Sequence, residues 1–468
     1  MNTQKKLFGK IYHPEKSDEI IEGVWLEITD NDIRIQVPNF TFRQNKWEVI
    51  KGEFTGLDKV SFIDVYPNGD SSGAGGSFDN LSVSFLLKGV HIDIKNQLNL
   101  TKFTIFSKEL TKWVRTLPIN NKKEEDKLIF EIPQTQQIIQ LNSSYQGKDV
   151  SLSLYTGYDK YWGTMDYAIK VDKVAYFEVH FKGKNKWTFT DIFQLTILLE
   201  NFILFVIHAN PQIFETHIFY EKELSNKVDS TTVFSDTDEG GSELVRRSSR
   251  AFKPSYSFTF TYGDIEPFIK IILNKWLSES KLHPIITLLQ SHNYNSSLPS
   301  STYFFNMCSA IEALHTNLLK DRFQETSDKK KQEMKKQRNA IKKLIDDDNL
   351  KAFFIEKAGY WSKLSLRERI SSWKEELEKI TKSVFINTVY SSIDDLIDMI
   401  VKTRNDIAHN GLWNKRIENE FDLYLVSKSL ELLLKYEIAI FIGYPKDKCE
   451  RLLEKSNKIL VHLRDINA

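Results

Sequence analysis

The chain has 468 residues, with 64 Lys and Arg against 63 Asp and Glu and a net charge of +1. That length supports two or three domains, each able to bury its own core, and the balanced charge excludes a protein that finds nucleic acid through its overall field. The two cysteines, Cys308 and Cys449, stand far apart without partners at metal-ligand spacing, which argues against a disulfide scaffold or zinc knuckle and for a reducing, cytoplasmic compartment.

Residues 1 to 10 lack the apolar segment of a secretory signal. Short alternating or β-branched runs then recur between turn signals. They predict strands over Leu7–Tyr12, Gly23–Ile28, Ile33–Val37, Val60–Val65, Leu81–Leu86, Val90–Ile94, Val150–Tyr155 and Val174–Phe181. Such a pattern reads as a β-sandwich or a barrel-like domain. The Gly-rich stretch 69–77 lacks the Gly-Lys-Ser/Thr ending of a phosphate-binding loop and reads as a hairpin loop. A short helix is predicted over Lys108–Leu117, followed by a polar linker over Pro118–Lys127. Strands from Leu128 onward form either a second sheet layer or a second β domain.

The longest apolar tract, Ile192–Ile207, is interrupted by Gln194, Glu200 and Asn201 and is shorter than the roughly 20 residues that span hydrocarbon, so it predicts a buried helix and no membrane association. Lys222–Lys253 is rich in Ser, Asp, Thr and Gly and ends in Arg246, Arg247 and Arg250; it reads as a loop, with RNA contact as its functional alternative. A strand over Ser255–Tyr262 and a helix from Asp264 to about Ser278 follow. The organisation changes near residue 295, after which a Ser-rich connector, Tyr294–Ser301, leads into helical periodicity. There Phe305, Ile311, Leu314 and Leu318 are predicted as an apolar face, and Ile417–Ile442 as another long helix.

Glu312 and His315 have the i, i+3 spacing of a metal ligand pair, but no second copy completes a cage, so no metal or cofactor is expected. Over Asp328–Leu344, Lys329, Lys330, Lys331, Lys335, Lys336, Arg338, Lys342 and Lys343 face only Asp328 and Glu333. A solvated helix face explains such a run, and a phosphate-attracting surface is its functional reading, with Lys335, Lys336, Arg338, Lys342 and Lys343 as candidate RNA contacts.

The sharpest chemical signal is Arg404-Asn405-Asp406-Ile407-Ala408-His409-Asn410-Gly411. An imidazole titrating near neutral pH can move the proton of a ribose 2′-hydroxyl, and a guanidinium can hold the phosphate that hydroxyl attacks. Asn410-Gly411 makes a good C-cap, which places His409 in the last turn of a helix. At about 100° per residue, Arg404 and His409 point some 140° apart, whereas Asn405 and His409 share a face. Either the last turn unwinds to bring Arg and His together, or a second subunit completes the site.

This octapeptide resembles the R-N-x-x-x-H signature of HEPN ribonuclease domains. Phe305 to His315 resembles the first long helix of such domains, with its acidic residue and Leu-His ending, and Leu364 to Ile370 resembles the L-x-E-R-I/L segment of the ApeA-like branch. In the first half, the early stretches 7–12 and 23–26 resemble the ApeA N-terminal domain. The resemblance implies an α+β chain: a β-rich N-terminal sensor region over 1–295, undivided or broken near 118–127, followed by a helical HEPN bundle over 296–468. It further implies a metal-independent endoribonuclease of an abortive anti-phage response. Such an enzyme works as a homodimer. The chemistry of the Arg-His pair itself predicts 2′-hydroxyl attack that leaves 2′,3′-cyclic phosphate ends. The size of the N-terminal half and its lack of catalytic constellations predict a sensor or substrate-selecting module that recognises a phage protein or holds the nuclease inactive until triggered. Catalysis then falls to Arg404, His409 and Asn405, with Glu312 orienting Arg404. The alternative is a non-catalytic RNA-binding or dimerisation module, with ligand recognition in the β-rich half.

Overall fold

The computed structural model describes residues 5–16, 19–28, 33–38, 44–73, 76–93, 99–114, 119–124, 127–162, 169–183, 187–207, 215–221, 239–246, 260–294, 298–320, 322, 324–345, 347–352, 364–385, 389–411, 417 and 419–467. They fall into two compact units, Met1–Ser278 and Glu279–Ala468. The division comes earlier than the composition change near residue 295.

The first unit is built on a closed barrel. Its strands are β1 (Lys5–Tyr12), β2 (Ile20–Ile28), β3 (Ile33–Pro38), β4 (Trp47–Phe54), β5 (Asp58–Gly73) and β6 (Gly76–Lys88). They pair antiparallel in the order β6-β3-β2-β1-β4-β5, and β5 pairs again with β6 to close the ring. Closure removes the open edges that a six-stranded sheet would otherwise present. Alternation along the strands sends Val24, Leu26, Ile33, Ile35, Val37, Phe62, Val65, Leu81 and Val83 into one interior cluster. Gly9 is needed where β1 crosses β4, since a Cβ there would lie 2.2 Å from the Glu53 carbonyl oxygen. The Gly-rich stretch continues the β5-β6 ribbon, with Gly73 opposite Gly76.

From β6 the sheet runs on through β14 (Glu239–Arg246), β13 (Glu215–Glu221), β7 (Leu100–Phe106), β12 (Ile169–Phe181), β11 (Lys148–Trp162) and β10 (Gln136–Tyr145). The strands after residue 128 therefore extend the first sheet, except for β9 (Lys127–Glu131), which among the described residues pairs with β8 (Asn120–Glu124) alone. That hairpin replaces most of the expected linker. β14 lies within the expected loop, because pairing with β13 and β6 supplies what its Gly- and Ser-containing sequence lacks. Arg246 belongs to this strand, whereas 222–238 and 247–253, with Arg247 and Arg250, lie outside the described residues. Val90–Asp93 is not a strand: the Ser61 hydroxyl accepts from the Ile92 N–H and donates to the Val90 carbonyl, taking the place of a ladder.

The apolar tract forms α2 (Phe189–Val206), opened by a Thr188/Asp191 capping box. It follows the short α1 (Lys108–Trp113) in the chain. By length and composition α2 would suffice to cross a membrane, yet most of it is buried, including Glu200 and Asn201. Phe202 packs edge-on to Phe177 and Trp276, and the Trp276 indole donates to the Leu198 carbonyl at 2.9 Å. The unit ends with α3 (Tyr262–Ile265), a 3-10 turn and α4 (Ile269–Ser278). Tyr262 thus opens a helix rather than closing a strand, because Thr261 and Asp264 form a capping box; 255–259 lie outside the described residues.

The second unit is helical among its described residues: α5 (Leu282–Leu289), α6 (Ser291–Tyr294), α7 (Ser300–Asn317), α8 (Gln324–Leu344), α9 (Leu366–Ser371), α10 (Lys374–Thr381), α11 (Ile393–Asn410), α12 (Glu420–Phe441) and α13 (Lys446–Asn467). α12 is buried along most of its length, and α7, α10 and α13 pack on it. Its buried Glu431 accepts from Lys428 at 2.7 Å and from the Tyr303 hydroxyl of α7, and forms an ion pair with Lys435 at 2.9 Å. Both cysteines are free and buried.

The core-facing side of α7 consists of Tyr303, Phe304, Met307, Cys308, Ala310, Ile311, Leu314 and His315. Phe305 and Leu318 are only half-buried, so the expected apolar face is rotated by part of a turn.

Candidate active site

α11 carries the Arg-His motif and positions it by ordinary helix chemistry. Ser392 caps the N-terminus by accepting from the Asp395 N–H, and Asp394 and Asp395 complement the dipole in the first turn. Leu396, Ile397, Met399 and Ile400 are buried. Gly411 ends the helix in the left-handed conformation at φ 68°, its N–H donating to the Ile407 carbonyl at 3.1 Å. The helix stays α-helical through Asn410, which leaves Arg404 and His409 about 140° apart and Asn405 and His409 on one face. Asn405 and His409 are exposed.

Arg404 is half-buried against α7. Its guanidinium reaches the Glu312 carboxylate at 3.4 Å and Asn405 Oδ1 at 3.4 Å, and lies over the Phe305 ring at 5.6 Å from the centroid. Cys308 lies in the same neighbourhood. Burial pushes its thiol well up, Glu312 adds to that shift and Arg404 opposes it, so it is no thiolate nucleophile.

His315 does not join Glu312. It is buried against Trp373, ring centroids 4.3 Å apart, and its pKa is lowered to about 3, chiefly by burial and then by the nearby Arg369 charge. Among the described residues, no group of three or more His, Cys, Asp or Glu side chains is placed to hold a metal.

The segment before α11 braces this site. Ser365 and Glu368 form the capping box of α9, and Glu368 also takes the Lys330 ammonium of α8. Arg369, nearly buried, donates to the carbonyls of Leu364 and Glu312 and to Thr316 Oγ, each at 3.0 Å. Arg367 pairs with Asp398 of α11. The α9 segment therefore ties α7 to α11 from behind.

On α8, Lys335, Lys336, Lys342 and Lys343 are exposed and Arg338 is half-exposed, while Met334 faces inward. None of these five cations has an ion pair with a described residue. In the first unit, a cleft of about 620 Å³ opens beside β1 and the β4-β5 turn, lined by Phe8, Lys10, Glu22, Glu53, Asp58 and Lys59 among others.

Residues 305–448 match the family described as Apea-like HEPN, and residues 6–276 match ApeA N-terminal domain 1. The chain belongs to the ApeA-like HEPN family. No curated protein and no solved structure matches it. HEPN domains are associated with RNA cleavage, and the ApeA-like pairing of domains points to a nuclease-type anti-phage function.

Within the HEPN unit the structure brings Glu312, Arg404 and Asn405 together and leaves His409 one turn further along, on the face it shares with Asn405. Two residues named in the sequence were given no role at the site there. Phe305 is one, although its i, i+7 relation to Glu312 already put both on one face of α7. Arg369 is the other; its buried, three-acceptor role rests on contacts far apart in the chain.

Proposed function

We propose that the chain is a metal-independent endoribonuclease of an abortive anti-phage response, acting as a homodimer through its HEPN unit. The observation that carries this reading is Arg404 held between Glu312 and Phe305, beside an Asn405/His409 face that is open to solvent. The ribose 2′-hydroxyl gives up its proton as its oxygen attacks the adjacent phosphorus. The bond to the 5′-oxygen breaks, and that oxygen takes up a proton. A 2′,3′-cyclic phosphate and a 5′-hydroxyl result.

His409 serves as the proton-transfer group, Arg404 stabilises the charge that builds on the phosphoryl oxygens, and Asn405 orients phosphate or imidazole. One copy supplies one His409 and holds it about 140° from Arg404 on the helix, while the reaction needs both a base and an acid. Two copies of α11 supply both, which is the argument for the dimer. Lys335, Lys336, Arg338, Lys342 and Lys343 of α8 give the local positive surface that the neutral chain otherwise lacks, and they contact RNA phosphates. The β-rich unit acts as the sensor for a phage protein, with the cleft beside β1 as its recognition feature.

The test is cleavage of bacterial RNA by wild type, Arg404→Ala and His409→Ala, with and without EDTA, with the fragment ends mapped. Cutting that survives EDTA, leaves cyclic-phosphate ends and is lost in both variants is expected. Equal phage protection by wild type and both variants in cells would overturn the catalytic assignment.

A further inference from the structure

The contacts around Arg404 are individually weak. Its guanidinium meets Glu312 and Asn405 at 3.4 Å each, beyond the 2.7–2.9 Å typical of a charge-assisted hydrogen bond. Both contacts lie on a side chain that remains partly open to solvent, with 28% of its surface exposed against 35% for Glu312. A pair of that kind is worth little and exchanges readily with another anion. Phe305 differs in kind. Its ring lies 5.6 Å from the guanidinium carbon, inside the distance at which a ring quadrupole attracts a cation, and ring and guanidinium are both half-buried. A guanidinium attracted to an aromatic face does not spend its N–H donors on that contact, which leaves them for a phosphate.

We infer that Phe305 is a positioning residue for Arg404: its ring keeps the guanidinium in place while an RNA phosphate displaces the Glu312 carboxylate. This rests on the ribonuclease reading above. Glu312 then acts as a stand-in anion, holding the guanidinium until substrate arrives. Phe305 is the contact that persists from the free to the bound protein.

The experiment replaces Phe305 in the full-length protein with phenylalanines carrying one, two and three ring fluorines, which drain the ring face of negative charge at nearly constant shape. The expected result is a stepwise fall in kcat with ring fluorination, reaching about 3- to 10-fold at three fluorines, with an unchanged melting temperature. Phe305→Tyr should retain activity, and Phe305→Leu should match the trifluorinated protein. A second readout needs no turnover: the Arg404 Nε–Hε resonance, assigned by its loss in Arg404→Lys, should be displaced by the ring current and return toward the free-arginine position in Phe305→Leu. A flat fluorine series, or an Arg404 resonance unaffected by Phe305→Leu, would overturn the inference. Loss of cleavage in Arg404→Ala alongside a flat series sinks the role of Phe305 alone. Full cleavage by Arg404→Ala sinks the ribonuclease assignment itself, and this inference with it.

Discussion

His315 gives the helical unit a pH dependence that can be calculated in advance. Its imidazole is buried against Trp373 with a pKa lowered to about 3, burial being the first cause and the Arg369 charge the next. In the unfolded chain the same group titrates near 6.5, so between those values the unfolded state binds a proton that the folded state does not. Stability therefore falls as pH drops through 6.5. Between about pH 7.5 and pH 5 the loss is about 2 kcal/mol, a figure set by the unfolded pKa so long as the folded value stays well below 5. For a unit of this size that corresponds to roughly 4–8 °C in melting temperature.

Glu437 works in the opposite sense, so the wild-type profile alone does not isolate the effect. The assay is the melting temperature of wild type and His315→Phe, each followed from pH 7.5 to pH 5 by helical circular dichroism. The aromatic replacement preserves the ring contact with Trp373. His315→Phe should gain on wild type by those 4–8 °C as pH falls, whatever their offset at neutral pH. Parallel profiles would refute a neutral, buried His315.

Burial raises the Glu437 carboxyl to about 7, against the opposing charge of Arg322 at 2.8 Å. A raised carboxyl is protonated more readily in the folded state, so its contribution is complete below about 4.5 and is lost as pH rises through 7. Glu437→Gln should therefore stabilise the unit more at pH 8 than at pH 5, and the two melting temperatures check the sign. On α8, replacing Lys335, Lys336, Lys342 and Lys343 with alanine should weaken RNA binding across sequences. The slope of log affinity against log salt should fall by about one per phosphate contact removed. Fluorescence anisotropy over a salt series measures that slope, and an unchanged slope removes α8 from the RNA interface.

The parts of this protein that were legible in its sequence are those fixed by local chemistry. The end of α11 is one: Asn410-Gly411 announced the left-handed cap, and His409 falls in the last turn as that cap requires. The capped, buried α2 is another. What stayed hidden depends on partners distant in the chain. Nothing in Val60–Val65 or Leu81–Leu86 says that β5 and β6 pair to close a ring, and a stretch as rich in Gly and Ser as β14 becomes a strand only because β13 and β6 lie on either side of it. Phe305 was misread for the same reason. An aromatic at helical spacing reads as core until the residue facing it is known, and here that residue is Arg404.

Arg369 shows how such distant contacts reach the site, and it leads to a testable consequence. Its guanidinium binds the Glu312 carbonyl and Thr316 Oγ of α7, while its neighbour Arg367 holds Asp398 of α11. The register between the helix bearing Glu312 and Phe305 and the helix bearing Arg404 is thus set from α9. Lysine at 369 keeps the charge but loses the planar fork that meets the Leu364 and Glu312 carbonyls and Thr316 Oγ together. Arg369→Lys should consequently lower kcat in RNA cleavage at temperatures where the protein remains fully folded, while RNA affinity, set by exposed cations, stays close to wild type. A variant that loses stability yet keeps its kcat would show that α9 braces the fold without setting the geometry around Arg404.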